Sequence, residues 1–97
     1  MKFCAAIDLG ASSGRVSIGS LEGSTLQIQE VHRFKHEANA HSDGALRWEW
    51  DTIVEEVIRG LHKAQEFGEI VSIGIDTWAV DYGLLDSNGN LIEQPYC

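Results

Sequence analysis

Apolar runs and alternating segments divide the first third of the chain into three predicted β-strands. Residues 3–7 form a continuous apolar run that stops at Asp8, a pattern typical of a strand buried on both faces. Residues 16–21 and 26–34 alternate apolar with polar positions, which is typical of half-buried strands. Because short turn-forming stretches separate the three segments, the pattern predicts an antiparallel meander.

An amphipathic helix is predicted from about Asp51 to Phe67, after a polar stretch at 35–44 that predicts a loop. Asp51 is a favourable N-cap residue, and Gly68 suits the position that follows the last turn. Apolar residues recur at three- and four-residue spacing and form one stripe along the helix. The members of this stripe that we expect to be buried against the sheet are Val54, Val57, Ile58 and Leu61.

A second apolar run, residues 70–75, precedes Asp76 and predicts another buried strand. Residues 77–85 then indicate a turn and a further strand, and residues 87–90 a hairpin turn. The predicted order is β-β-β-α-β followed by a hairpin, in an α/β fold with a mixed sheet. Asp8 and Asp76 would lie at the carboxyl ends of two strands, where ligands collect in such sheets.

The composition is that of an ordinary globular domain with an acidic balance. The chain has 97 residues, of which 43% are hydrophobic and 23% charged, enough for one modest core. Its net charge of -8 leaves no basic surface for nucleic acid or for an anionic membrane. No apolar run is long enough for a transmembrane helix or a signal peptide, and the two cysteines are interpreted as free thiols. We therefore expect a cytoplasmic protein with no nucleic-acid or membrane partner.

The strongest chemical signal lies in residues 8–15, Asp-Leu-Gly-Ala-Ser-Ser-Gly-Arg. Asp8, at the end of a strand, can place a carboxylate for a hard cation such as Mg²⁺. The two glycines permit close backbone approach and unusual φ, so the turn can aim successive N–H groups at phosphate oxygens. Arg15 adds a forked, always-charged donor. The same residues also suit a plain hairpin turn with a capping Asp, and the residues alone leave both interpretations open.

A second candidate segment, residues 74–82, follows the later predicted strand. Carboxylates such as that of Asp81 accept hydrogen bonds from the hydroxyls of a polyol, and the faces of Trp78 and Tyr82 can pack on its C–H surfaces. The alternative interpretation is that both aromatic residues belong to the core and the acids to a turn.

Two other clusters of reactive residue types are interpreted as structural. His32, His36 and His41 fall in one region but lack a fourth zinc ligand, so we interpret them as solvated loop residues. Residues 48–50, Trp-Glu-Trp, are interpreted as a strand edge that leads into the helix.

Three segments in this order resemble the FGGY carbohydrate kinases, which have the actin/hexokinase-type, ribonuclease-H-like fold. They are residues 8–15, residues 32–34 (His-Arg-Phe) and residues 72–86. The Gly-Ile-Asp-Thr-Trp run within the third segment narrows the resemblance to the family members that act on L-rhamnulose. The resemblance covers nearly the whole chain.

The resemblance implies ATP-dependent phosphorylation of L-rhamnulose to L-rhamnulose 1-phosphate, with Mg²⁺. It assigns the metal-associated aspartate to Asp8, and the sugar-contacting position to Ala79, where the family usually has Gly. We expect Trp78 and Asp81 to border the sugar on either side of Ala79. The residues that correspond to the family's first phosphate-binding loop are Ala11, Ser12, Ser13, Gly14 and Arg15.

The resemblance further implies that residues 1–97 are the first part of the N-terminal domain of a two-domain kinase. The family's general base, its adenine-binding loops and its second phosphate loop would then lie beyond Cys97. Since phosphoryl transfer needs parts of both lobes, we expect the chain to be inactive by itself.

Other functional classes remain open at this point. A kinase of another ketose or sugar would use the same residues. A metal-dependent nuclease of ribonuclease-H-like topology would use Asp8, Glu55 or Glu56, and Asp76, although the net charge opposes it. A non-catalytic domain that binds a sugar or a nucleotide is the third class.

Overall fold

The computed structural model describes residues 1–97 and contains six strands and one helix. They are β1 (Lys2–Leu9), β2 (Ser13–Glu22), β3 (Thr25–Lys35), β4 (Ala38–Ala40), β5 (Leu46–Trp48), α1 (Trp50–Gln65) and β6 (Glu69–Asp76). The α/β class and the order β-β-β-α-β are confirmed. The further strand predicted within residues 77–85 does not form, and only isolated bridges occur there, from Tyr82 to Tyr96 and from Leu85 to Leu91. The polar stretch predicted as a loop also contains β4, because it folds back and pairs with β5.

Four strands form a mixed sheet in the order β3-β2-β1-β6. β1 and β2 pair antiparallel, as do β2 and β3, so the predicted meander is confirmed. β6 pairs with β1 in parallel, which requires a crossover connection. β2, β3 and α1 lie within that connection, and the result is the mixed sheet of a ribonuclease-H-like fold.

The core lies between α1 and one face of the sheet. Burial alternates along β1, where Ala5, Ile7 and Leu9 are buried and the residues between them are exposed. This is the period of two expected when only one face of a strand is covered. The residues that form the central cluster are Ile7, Leu9, Val16, Phe34, Trp48 and Ile53.

The opposite face of the sheet is open to solvent, which corrects the expectation that two strands are buried on both faces. In β1 the residues between the buried positions are exposed. In β6, Ile73 and Ile75 pair with Ala5 and Ile7 and so share the helix-side face, yet both are more than half exposed because α1 packs mainly over β2 and β3. An apolar run shows that both sides of a strand are suited to burial, and no element of this chain packs on that second side.

Beyond the reach of β1, β2 and β3 continue as a two-stranded arm. The pairing of β1 with β2 extends no further than Gly19, whereas β2 and β3 stay paired to their turn at Glu22 and Thr25. Leu21 and Leu26 in this arm are largely exposed, as is Ile28 at its base.

The ends of α1 differ from the prediction. The helix begins at Trp50, and no side chain caps it from Glu49; the Trp50 N–H instead donates to Oε1 of Gln94 over 2.7 Å. Gly68 does not adopt a positive φ. Its missing side chain serves close packing, since a Cβ there would lie 2.4 Å from the Met1 carbonyl oxygen. No helix of this protein has the length and apolarity that a membrane crossing requires.

The helix contacts the sheet through a row centred on Gly60. A Cβ on Gly60 would lie 2.5 Å from Cγ2 of Val16, so the missing side chain lets the helix approach β2 closely. Ile53 and Ala64 in this row are fully buried, and Val57 and Leu61 pack against the core from its edges.

The burial predicted for Val54 and Ile58 is therefore wrong. Their side chains are 40% and 48% exposed. The apolar stripe is wider than the contact that a single sheet face can make, and the close approach at Gly60 turns the second row of the stripe toward solvent.

Arg47 joins β5 to the last residues of the chain. Its buried guanidinium donates to the Gln94 carbonyl over 2.8 Å and pairs with the carboxylates of Asp43 and Glu93. The cation also lies 4.0 Å above the ring of Tyr96. The hydrogen bond to Asp43 raises the pKa of Arg47, so the group stays charged although it is buried.

Truncation of two isoleucines of α1 tests the observed orientation of the helix. Ile53→Ala should lower the free energy of unfolding by roughly 2–4 kcal/mol, because Ile53 is 1% exposed and leaves a cavity. Ile58→Ala, the matched control on the same helix, should cost less than about 1 kcal/mol. Urea unfolding followed by circular dichroism measures both, and equal losses would contradict this orientation.

Candidate functional site

The carboxyl ends of β1 and β6 form the centre of the candidate site. The parallel register of the two strands places Asp8 directly beside Asp76. Both residues are exposed at this edge of the sheet. The predicted position of the two aspartates at adjacent strand ends is confirmed.

The predicted phosphate loop, residues 11–15, spans the turn after β1 and the first three residues of β2. The N–H of Gly10 donates to the carbonyl oxygen of Ser13 over 2.9 Å and closes the turn. The N–H groups of Ala11 and Ser12 donate to no acceptor in the chain. Free N–H groups on an exposed turn are the feature that an anion-binding loop requires.

Gly14 serves packing at the base of this loop. A Cβ on Gly14 would lie 2.3 Å from the buried ring of Phe34, so only glycine fits at this position. Neither Gly10 nor Gly14 has a positive φ, and the expected unusual backbone conformation is not adopted. The close approach predicted at Gly14 is therefore that of a core side chain, Phe34, to the backbone, and not that of a ligand.

The Arg15 side chain lies across the base of the loop. Its Nη2 is 2.9 Å from Oδ2 of Asp8, and it passes close to Gly10. Its Nε–H is buried and has no acceptor. The guanidinium therefore keeps an unused donor close to Gly10, which would become available to an anionic ligand such as a phosphate group if the side chain turned outward.

The aspartate pair fits a magnesium ion. Mg²⁺ is usually held through one or two carboxylates and the phosphate oxygens of a substrate, and it keeps several waters. Asp8 and Asp76 supply exposed carboxylates of this type beside the loop.

Trp78 connects the segment after β6 to the phosphate loop. Its indole N–H donates to the Gly10 carbonyl oxygen over 2.8 Å. Its ring stacks on that of Trp48, with centroids 4.4 Å apart and planes inclined by 15°. Nε1 of Trp48 in turn donates to Oδ2 of Asp81 over 2.6 Å.

A cleft of about 320 Å³ opens beside this tryptophan pair. Trp78 and Asp81, two of the residues expected to border a sugar, line it together with Trp48. Ala79 is exposed and lies outside the lining. The roles of these residues toward a ligand stay predictions.

His36 is a buried residue that was predicted to be solvated. It is 7% exposed and packs edge-on against Trp48 and Trp78, with centroid distances of 4.9 and 5.8 Å. Its backbone N–H donates to the Ser12 carbonyl over 3.2 Å, whereas neither ring nitrogen has a partner. Burial lowers the pKa of His36 below its ordinary value, and the nearby Ser13 backbone offsets this only in part.

His32 is also buried, so its prediction as a solvated loop residue is wrong. It lies in β3 and contacts Glu56 of α1. Lys63 donates to Nδ1 of His32 over 2.9 Å, and Nε2 lies 2.9 Å from Oε2 of Glu56. Because a lysine ammonium only donates, Nδ1 is the acceptor and Nε2 carries the proton toward Glu56.

No three His, Cys, Asp or Glu side chains form a group able to hold a metal, so the carboxylate triad of the nuclease alternative is not assembled.

The residues that the sequence analysis missed are Trp48 and His36. Both lie in or next to a polar stretch whose pattern carries no period, and their importance follows from contacts with residues far away in the sequence. The only signal in the sequence that could have indicated a role for Trp48 was the pair of tryptophans at 48 and 50, just before the helix.

No family model matches the chain. Curated rhamnulokinases do match it: those of Ligilactobacillus salivarius, Bacillus subtilis and Klebsiella pneumoniae (strain 342) are 46%, 47% and 44% identical over 98, 92 and 98 residues.

These matches cover 92–98% of this chain, and the resemblance inferred from its motifs is confirmed. The chain spans about a fifth of the length of the relatives, between 18% and 20%, which is consistent with an N-terminal fragment.

Replacement of His36 tests whether burial holds its imidazole neutral. The native state resists protonation, so below the ordinary pKa of about 6.5 the unfolded state binds more protons and stability falls as the pH falls. In His36→Phe this loss between pH 7 and pH 5 should be smaller, while stability at pH 7.5 should be equal or higher.

Urea midpoints at several pH values measure the effect. His62→Phe is the control, since His62 is exposed on α1. A pH dependence in His36→Phe equal to that of the unmodified chain would contradict the assignment.

Proposed function

We propose that this chain supplies the phosphate loop and part of the sugar site of a kinase that phosphorylates L-rhamnulose with ATP, giving L-rhamnulose 1-phosphate. The observation that carries the proposal is the hydrogen bond from Trp78 to Gly10. It joins the segment assigned to the sugar to the loop assigned to the phosphates, in a chain 43–47% identical to curated rhamnulokinases.

The loop would bind ATP through backbone and side-chain donors. The free N–H groups of Ala11 and Ser12 would donate hydrogen bonds to phosphate oxygens, and the Ser13 hydroxyl would add a further donor. Arg15 would leave Asp8 and pair with the phosphate group, where its forked geometry suits two oxygens. Gly14 keeps the loop against Phe34 and so fixes its position on the sheet.

Asp8, with Asp76 beside it, would hold Mg²⁺. When bound, the ion neutralises charge on the phosphate oxygens. The protein contributes a firm support for these carboxylates, because Asp8 and Asp76 lie at the ends of two strands that are paired with each other.

The sugar would bind in the cleft beside the tryptophan pair. Trp78 offers an aromatic face, and Asp81 a carboxylate that can accept a hydroxyl hydrogen. Ala79, at the position where the family usually has glycine, does not line the cleft, so its backbone would contact only a part of the sugar that extends beyond it. A general base for the sugar hydroxyl would come from a part of the kinase that this chain does not contain.

Activity measurements test the proposal with a chimera in which this chain replaces the matching segment of the Bacillus subtilis relative. We expect ADP release that depends on L-rhamnulose and exceeds the rate with other ketoses. The 97-residue chain alone should be at least about a hundredfold slower, because it lacks the groups that position both substrates.

Each outcome of this experiment separates one alternative. Faster turnover of a different ketose would assign the site to another sugar. Absence of any sugar-dependent turnover by the chimera, with retained nucleotide binding, would indicate a non-catalytic domain.

Asp8→Asn in the same chimera tests the metal assignment. The fold should be kept, and kcat should fall by at least about 10²-fold, because the amide holds Mg²⁺ poorly. Asp51→Asn, an exposed carboxylate of α1, is the control and should leave kcat unchanged. Near-normal turnover of Asp8→Asn at saturating Mg²⁺ would remove Asp8 from the metal site.

A further inference from the structure

Trp48 lies outside both segments that are assigned to ligands, yet it contacts the sugar-side segment directly. Its side chain is 2% exposed, and its only side-chain hydrogen bond is the one to Asp81. A buried indole N–H needs an acceptor, so this bond fixes the orientation of the Asp81 carboxylate. One carboxylate oxygen is used by Trp48, and the other is left for a ligand hydroxyl.

The stack on Trp78 extends this contact to the phosphate loop. Trp48 packs face to face on Trp78, which donates to the Gly10 carbonyl directly before the loop. His36 supports the pair from its edge, and its backbone N–H is bonded to Ser12 within the loop. Trp48 therefore packs against the residue that joins the cleft to the loop.

Trp48 is itself held on a rigid support. Its backbone N–H donates to the Pro95 carbonyl over 2.9 Å, and the neighbouring Arg47 is bound to Gln94 and Glu93. The backbone of Trp48 is therefore held by β4 on one side and by Pro95 on the other. A side chain fixed in this way can hold a second group in place with little freedom of its own.

We propose that Trp48 is a positioning residue, which orients Asp81 toward the sugar. The inference rests on the proposed function, since it assigns a task within that site. It predicts an effect on the sugar that acts through Asp81 and is absent for ATP.

The test uses the chimera described above and compares KM for L-rhamnulose with KM for ATP. Trp48→Phe keeps an aromatic ring on Trp78 but removes the N–H that binds Asp81. We expect KM for the sugar to rise about tenfold, as for loss of one hydrogen bond to a charged group, and KM for ATP to change less than about twofold. Leu46→Ala, an exposed position on the same strand, is the control and should change neither constant.

A double-mutant cycle shows whether the effect passes through Asp81. Trp48→Phe should add little to the effect of Asp81→Ala, because the carboxylate that Trp48 orients is then absent. If Trp48→Phe does not unfold cooperatively, benzothienylalanine at position 48 retains the shape and stacking of tryptophan and removes only the N–H.

Each result of the test is decisive. Equal changes of both KM values, or additive effects of the Trp48 and Asp81 substitutions, would overturn the positioning role while the proposed kinase function stands. A parent chimera without sugar-dependent turnover would overturn the proposed function, and this inference with it.

Discussion

The parallel ladder between β1 and β6 brings together two parts of the chain that are far apart in sequence. Its register sets Asp8 beside Asp76, and the segments that leave these residues are the phosphate loop and the tryptophan segment. The contact between Trp78 and Gly10 is possible only because both strands end at the same edge. A slip of this register by one residue would separate the aspartates and turn the side chains of β6 to the other face.

Close packing maintains this arrangement from below. Gly14 accommodates the ring of Phe34 under the loop, and Gly60 lets α1 approach Val16. At both positions a methyl group would collide with a buried side chain, so the absence of a Cβ sets the distance between layers. The position of the loop therefore depends on the same core that supports the helix.

The fold was predictable where a local pattern decides it. The alternation in β2 and β3, the turns between strands and the spacing within α1 are properties of neighbouring residues. The buried face of α1 was only partly predictable, since Val54 and Ile58 belong to the same stripe as Val57 and Leu61. Only the contact at Gly60 selects between the two rows.

The residues of the candidate site also fall into those that the local sequence identifies and those that only long-range contacts identify. Asp8 and its loop were identifiable because a carboxylate, small residues and an arginine follow one another directly in the sequence. Trp48 and His36 were not, because their surroundings consist of rings contributed by β3, β5 and the segment after β6. The pattern of residues along the chain does not show which rings from distant segments come into contact.

The two-stranded arm formed by the outer parts of β2 and β3 has a consequence for dynamics. It contributes to a long axis of 52 Å, and residues such as Leu26 and Ile28 have little packing there. Its backbone hydrogen bonds are therefore protected by local pairing alone, and amide exchange in the arm proceeds through fraying that leaves the rest of the domain folded. Protection should increase stepwise toward the residues of β2 that lie under α1, so the sheet has a graded local stability along its own strands.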